Sequence, residues 1–404
     1  MSRRTQIILG IIAIILIIAL GVWLFLRNRT GSTAGGGLPF FGGGNLPSTG
    51  GNGGSLGGGS TPGGELENIP TGGTVPVTEE EKKRLVQLTH EPTIGATVSP
   101  AENRVMYFKL GLGHLFDTAF DGEGGEVNLS TITTKNIIDV DWSTKKTYAF
   151  VTGLINDSVE NHWFHITSTS TVEHGTFREP IVSADFSPSA EKLVTIVRAG
   201  KTSTVRTSNP DGSNMKQLIA QQIPDLDVEW IRQDLVFLKT KTSAFAETLL
   251  ETVSIPSGIS TFVPFNQKGV DVLWHPDGDQ YLASVSDDNG AFSSITLRSR
   301  TSPNYKPFLY RTVPEKCYFS KKDSKVLYCA IPKNFTVDSM PDIWWQGSIQ
   351  FSDELWKINI ESGETTILLD GGGFDITNLF TSPNENFIFF INKNDLTLWS
   401  YRLL

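Results

Sequence analysis

Cysteine is nearly absent from this chain. Cys317 and Cys329 are the only two in 404 residues, and neither lies near the N-terminus. A lipoprotein anchor, which needs a cysteine directly after its apolar run, is thereby excluded. Histidine is sparse too: the six are scattered, and His162 and His165 flank Trp163-Phe164 on an expected strand. A spacing of three puts that pair on opposite faces of a strand, so it cannot chelate. The single G-x-S-x-G match, Gly53–Gly57, lies in a Gly-rich stretch without the strand and helix patterns a nucleophile elbow needs, and no H-E-x-x-H pair occurs, so the common nucleophile and zinc signatures carry no weight. No basic stretch is interleaved with aromatics and the net charge is −9, so nucleic-acid binding is disfavoured. Helical periodicity is nearly missing after residue 90, leaving only a short turn over 78–84, where Thr78 and Glu81 fit a capping box.

Long hydrophobic runs are also scarce, with one exception. Ile7 to Leu26 is an uninterrupted apolar segment of 20 residues, flanked by Arg3 and Arg4 before it and Arg27 and Arg29 after it. That length matches the hydrocarbon thickness of a bilayer, and Trp23 sits where an interfacial anchor would. A cleaved signal peptide is the competing reading, because Ser32-Thr33-Ala34 is small enough for a peptidase. The run is longer than a usual signal core and arginines separate it from that site, so an uncleaved anchor is expected. From Gly31 to Gly73 the sequence is mostly Gly, Ser, Thr, Pro and Asn. Such a composition buries too little apolar surface to offset ordering and reads as a flexible tether, with a span of roughly 35–40 Å. The expected organisation is residues 1–6 in the cytoplasm, 7–26 across the membrane, 27–77 as linker and 78–404 as the folded part outside.

Within that folded part a beat recurs. Val98-Ser99-Pro100, Trp142-Ser143-Thr144, Phe186-Ser187-Pro188, Trp230-Ile231-Arg232 and Trp274-His275-Pro276 lie 44 residues apart. Phe319-Ser320-Lys321 follows after 45 and Thr381-Ser382-Pro383 after 62. Each unit reads as four short strands joined by Pro-, Asp- and Gly-containing turns, for example Asn209-Pro210-Asp211-Gly212. Four strands per unit at this period make one blade of a β-propeller. The last unit has only three strands, and one spare strand over 84–89 precedes the first. A final blade closed by the N-terminal strand accounts for both. The expected fold is all-β, a seven-bladed β-propeller.

The turns Phe186-Ser187-Pro188, Trp274-His275-Pro276-Asp277-Gly278 and Ser382-Pro383-Asn384 resemble those of TolB-like, WD40-like propeller repeats. The likeness covers roughly residues 84–404, while Trp230-Ile231-Arg232 and Phe319-Ser320-Lys321 depart from it. No Gly-His…Trp-Asp pairs occur, unlike the eukaryotic WD40 type. The resemblance implies an interaction platform on the envelope side of a prokaryotic membrane and transfers no catalytic residue. Propeller peptidases with similar repeats carry a hydrolase domain after the propeller, for which this chain leaves no room.

Three units place an aspartate three residues before the aromatic mark: Asp139, Asp227 and Asp271. These positions start the innermost strands, at the mouth of the central channel. A ring of carboxylates there can hold a cation or a basic peptide; equally, each can accept backbone N–H bonds in its inter-blade turn. The stretched interval hides an insertion, 331–351, that carries Trp344 and Trp345. A tandem tryptophan on a loop offers aromatic anchors to a partner, or folds down over its own blade. Asp287 and Asp288 add carboxylates to the same face, without EF-hand spacing. Cys317 and Cys329 fall on neighbouring strands about one residue out of register. They are expected to be two buried small residues, with a disulfide as the alternative. The resulting expectation is a membrane-tethered, monomeric, non-catalytic binding module, with the bilayer and an envelope protein or peptide as partners and no cofactor or metal. A glycan- or peptide-acting hydrolase built on Asp139, Asp227 and Asp271 is the alternative.

Overall fold

The computed structural model describes residues 83–403 and Glu80, leaving aside 157, 169–170, 190, 264, 266 and 336–337. The expected membrane segment and tether lie outside the described residues. Among the described residues no helix is long and apolar enough to cross a membrane.

Seven four-stranded antiparallel sheets follow one another along the chain. Their first strands are Thr93–Val98, Ile137–Trp142, Ile181–Phe186, Leu226–Arg232, Lys268–Trp274, Cys317–Phe319 and Ile376–Thr381. In six sheets the strand order is the chain order. The seventh takes Leu85–Gln87 as its outer strand, pairing Leu85 with Tyr401 and Gln87 with Trp399. The missing strand and the spare one therefore close the ring, which hides all but short sheet edges.

Alternation explains why these segments are strands. Val194, Ile196 and Val205 of blade 3 are buried against Trp230 and Val236 of blade 4, while Leu193 clusters with Phe150 of blade 2. Each blade thus buries one face against its neighbour, and apolar clusters recur around the ring. Turn chemistry fixes the ends. Gly278 sits at φ 70°, where a side chain would meet the Ile231 carbonyl of the preceding blade at 2.6 Å. The adjoining Asp277 accepts the N–H of Asp279 at 2.7 Å and of Gln280 at 3.1 Å.

Two expectations change in blade 6. Cys317 and Cys329 face each other directly in the strand register rather than one residue apart, and they are joined as a disulfide with 4.1 Å between Cα atoms. The turn explains the shift. Val326 N–H donates to Asp323 and Ser320 N–H to Val326, which leaves Phe319 opposite Leu327 and sets the whole hairpin one residue further along. The insertion does not stand free either. Its helix, Asp342–Trp345, lies down across the upper face. That face carries the starts of the innermost strands and the connections between second and third strands.

Candidate functional site

The first strands line the channel, and their channel-facing positions form two tiers. Asp139, Asp227 and Asp271 belong to the upper tier. Two residues further along each strand, on the same face, come Asp141, Asp185 and Glu229 of the lower tier. Glu315 occupies the upper position in blade 6, 44 residues beyond Asp271. Gly95 takes it in blade 1, where a Cβ would lie 2.5 Å from Val140 of blade 2. The lower tier was missed from the sequence, although its signal was the same spacing displaced by one strand period.

The upper carboxylates are mostly paired with lysines. Asp271 accepts from Lys239 Nζ at 2.7 Å, and both side chains are largely buried. Asp227 accepts from Lys241. Asp139 accepts only its neighbour's N–H, from Val140 at 2.9 Å; burial pushes its carboxyl above the usual range against the pull of Lys241. Asp139 thus accepts an N–H from within its own strand rather than from an inter-blade turn, and Asp227 and Asp271 are paired with lysines of this chain.

The lower tier is half-buried throughout. Asp185 accepts from Phe186 N–H at 2.7 Å and from Trp230 N–H of the next blade at 2.6 Å, tying blades 3 and 4 together. Burial nevertheless raises its carboxyl to about 6. Asp141 is pushed well above its ordinary value by burial and by Asp139, Asp185 and Glu229. Glu229 has no hydrogen bond to its carboxyl among the described residues, and burial raises it to about 8 against the attraction of Lys239. At the lower mouth, burial and the charge of Lys321 bring Lys146 down to about 8.

Above Glu229 opens a pocket of 480 Å³, lined by Asp227, Glu229, Lys239, Lys241, Asp271 and, from the insertion side, Glu315 and Trp345. Trp345 is half-buried and donates its Nε1–H to Glu315 at 2.7 Å. The insertion holds this position through contacts to four blades. Ala244 N–H of blade 4 donates to Asp342 at 2.6 Å, and the Ser286 hydroxyl of blade 5 donates to the Met340 carbonyl at 3.1 Å. Lys393 of blade 7 donates to the Trp344 carbonyl at 2.7 Å. Within blade 6, Trp345 meets Glu315.

Trp344, for which the sequence leaves a surface anchor and an inward-packed residue both open, is fully buried. Its Nε1–H donates to both oxygens of Asp375, at 3.1 and 3.0 Å, and its ring lies 4.8 Å from the Lys316 ammonium. Lys316 in turn donates to Asp353 at 2.6 Å and Asp375 at 2.5 Å, all three side chains without solvent access. An indole buried beside a carboxylate satisfies its one donor, which a free loop could not do. Asp287 and Asp288 also leave the site. Asp287 caps its own turn, accepting from Asn289 and Ala291, and Asp288 is fully exposed near Lys268. No group of three or more His, Cys, Asp or Glu among the described residues is placed to hold a metal ion.

No family model and no curated protein matches this chain. Solved structures do superpose on it. An oligogalacturonate lyase from Vibrio parahaemolyticus aligns at 11% identity with a TM-score of 0.55, covering 82% of this chain and 98% of that one. The β-propeller domain of Cps50 (Swd1) from Myceliophteria thermophila aligns at 9% identity with a TM-score of 0.51, covering 79% and 100%. TolB from Acinetobacter baumannii aligns more loosely, at 10% identity and a TM-score of 0.43 over 69% and 63%. At such identities the likeness shows the fold alone. The chain is a seven-bladed β-propeller, and a lyase and a Swd1 domain sharing its architecture leave its chemistry open.

Proposed function

We propose that this chain is a membrane-tethered, non-catalytic propeller of a prokaryotic cell envelope, and that its upper pocket binds a basic segment of a protein or peptide partner. The observation that carries this reading is the pocket beneath Trp345. It joins one aromatic edge to four carboxylates, of which only Asp227 and Asp271 are matched by lysines. A cationic side chain entering there meets Glu315 with the indole beside it, a combination suited to ammonium and guanidinium groups, and its charge favours release of the Glu229 proton to solvent. The apolar run 7–26 supplies the bilayer contact and the Gly-rich stretch the reach, which raises the local concentration at membrane partners. The Cys317–Cys329 disulfide supports an extracytoplasmic propeller, since such bonds persist in oxidising compartments.

One observation favours the hydrolase alternative. An unpartnered carboxyl held protonated near neutrality, as Glu229 is, has the property of a general acid. Its partner in such chemistry has to be a free carboxylate, and Asp227 and Asp271 are occupied by Lys241 and Lys239. Recognition is therefore the better supported role.

Calorimetry with an oligolysine peptide tests it. Binding is expected to weaken as salt rises, to fall at least tenfold in Trp345→Ala, and to be absent for oligoglutamate. Equal affinity for both peptides, or an unchanged Trp345→Ala variant with a normal unfolding curve, would sink the reading. Protease added to intact cells should digest the tether and release a resistant propeller; full protection of the chain would place the disc on the other side of the membrane.

A further inference from the structure

We propose that the Cys317–Cys329 disulfide is a redox control on the upper face: its reduction frees the Glu315–Lys316 corner and loosens the strap carrying Trp344 and Trp345, while the seven blades stay folded. The consequence for ligand binding rests on the pocket reading above; the response of the strap does not.

The innermost strand of blade 6 is the weak member of its ring. It runs for three residues, Cys317–Phe319, where the other six run for six or seven. Only three register pairs hold it to the next strand, and Cys317 with Cys329 is the pair nearest the upper face. Directly before it comes the turn Pro314–Lys316, whose two charged residues hold both tryptophans. Glu315 takes the indole N–H of Trp345. Lys316 sits under the ring of Trp344 and binds the carboxylates that orient it. The disulfide therefore ends one residue from the point on which the strap is seated. Besides the buried Lys316–Asp353–Asp375 triad and the packing of Met340, Trp344 and Phe351 in one cluster with both cysteines, the corner and strap are fixed by hydrogen bonds that include those from Thr312 to the Ala330 carbonyl at 2.6 Å and from Ala244, Ser286 and Lys393. Each such bond contributes about 1 kcal/mol. The blades, by contrast, are each held by the hydrogen bonds of a four-stranded ladder.

The chemistry is ordinary thiol–disulfide exchange with a dithiol reductant. Its thiolate attacks Cys317 Sγ, the only one of the two residues with remaining surface, 5% against none. Cys329 leaves as a thiolate and takes a proton. The reductant's second thiolate then closes its own disulfide and releases Cys317, which is also protonated. Two electrons and two protons pass to the protein, one S–S bond is broken and one is formed in the reductant.

Amide hydrogen exchange of the full chain, with and without dithiothreitol, tests the proposal, with thiol alkylation confirming that two cysteines were released. Exchange over 313–319 and 338–351 is expected to quicken at least tenfold, while the strands of blades 1–3 are unchanged. A strap unaltered after both thiols are released, or equal acceleration in all seven blades, overturns the proposal. The Cys317→Ala/Cys329→Ala variant should show the loosened strap without reductant and no further response to it. If that variant fails to fold, reduction of the folded wild-type protein decides. Oligolysine binding measured on the same samples separates the two readings: a loosened strap with unaltered binding removes the pocket reading and leaves the redox control standing.

Discussion

Lys316→Ala should lower the stability of the propeller by about 3–5 kcal/mol, the cost of leaving buried charge without its partner. Lys316 is the only cation touching Asp353 and Asp375 among the described residues, and none of the three side chains reaches solvent. Asp375 retains the indole N–H of Trp344 and the N–H of Phe351. Asp353 retains the N–H of Ile376, and its second oxygen already lacks a hydrogen bond. The loss should depend on pH in a defined direction. Burial raises the Asp353 carboxyl to about 6 even with Lys316 in place, above its unfolded value. The folded state therefore binds this proton more tightly, and stability falls as pH rises from about 4 through 6. Without Lys316 the Asp353 carboxyl moves further up, and the fall should continue to higher pH. Denaturant unfolding at pH 5 and pH 8 measures it: the variant should lie closer to wild type at pH 5. Equal losses at both pH values would mean that the site tolerates unpaired carboxylates. Replacing the triad together, as Lys316→Met with Asp353→Asn and Asp375→Asn, should recover much of the loss, because no unpaired charge then remains.

The parts of this molecule that repeat were legible in its sequence. Trp142, Phe186 and Trp274 end equivalent strands and Trp230 lies two residues from the end of its own, and turn residues such as Pro276-Asp277-Gly278 impose the chain reversals that follow. Periodicity also placed Asp139, Asp227 and Asp271 on the channel. Their use was not legible, because Lys239 lies at the end of the second strand of blade 4 and Lys241 just past it, and which lysine reaches which carboxylate depends on sheet register. The lower tier was legible in principle through the 44-residue spacing of Asp141, Asp185 and Glu229. The insertion offered no such guide. It has no counterpart in the other units, so nothing in the pattern says which face of Trp344-Trp345 turns inward. Lys316, Asp353 and Asp375 mislead for a different reason: isolated charges in sequence imply surface, and only the fold brings them together around an indole.

Trp344→Ala should cost about 3–5 kcal/mol, a loss comparable to that of Lys316→Ala but with a local signature. The indole is among the largest fully buried side chains described. Its removal opens a cavity between Lys316 and Lys393, whose ammonium groups lie 4.8 and 4.9 Å from the ring centre, and takes a donor from Asp375. Trp344→Phe keeps much of the ring and loses the N–H, so it should cost about 1–3 kcal/mol, the penalty for a buried acceptor deprived of one partner. The strap ties blades 4, 5 and 7 to blade 6 through contacts that depend on Trp344 staying down. Trp344→Ala should therefore raise amide exchange over 338–351 before global unfolding and make Trp345 more accessible to acrylamide quenching. Trp345→Ala, at a half-buried position with one hydrogen bond to Glu315, should change stability by less than about 1 kcal/mol. The two adjacent tryptophans thus separate by experiment: one variant lowers the unfolding midpoint, the other lowers peptide affinity at an unchanged midpoint. If Trp344→Ala unfolds at the wild-type denaturant concentration, the insertion is not seated by that side chain and the upper pocket has no fixed wall.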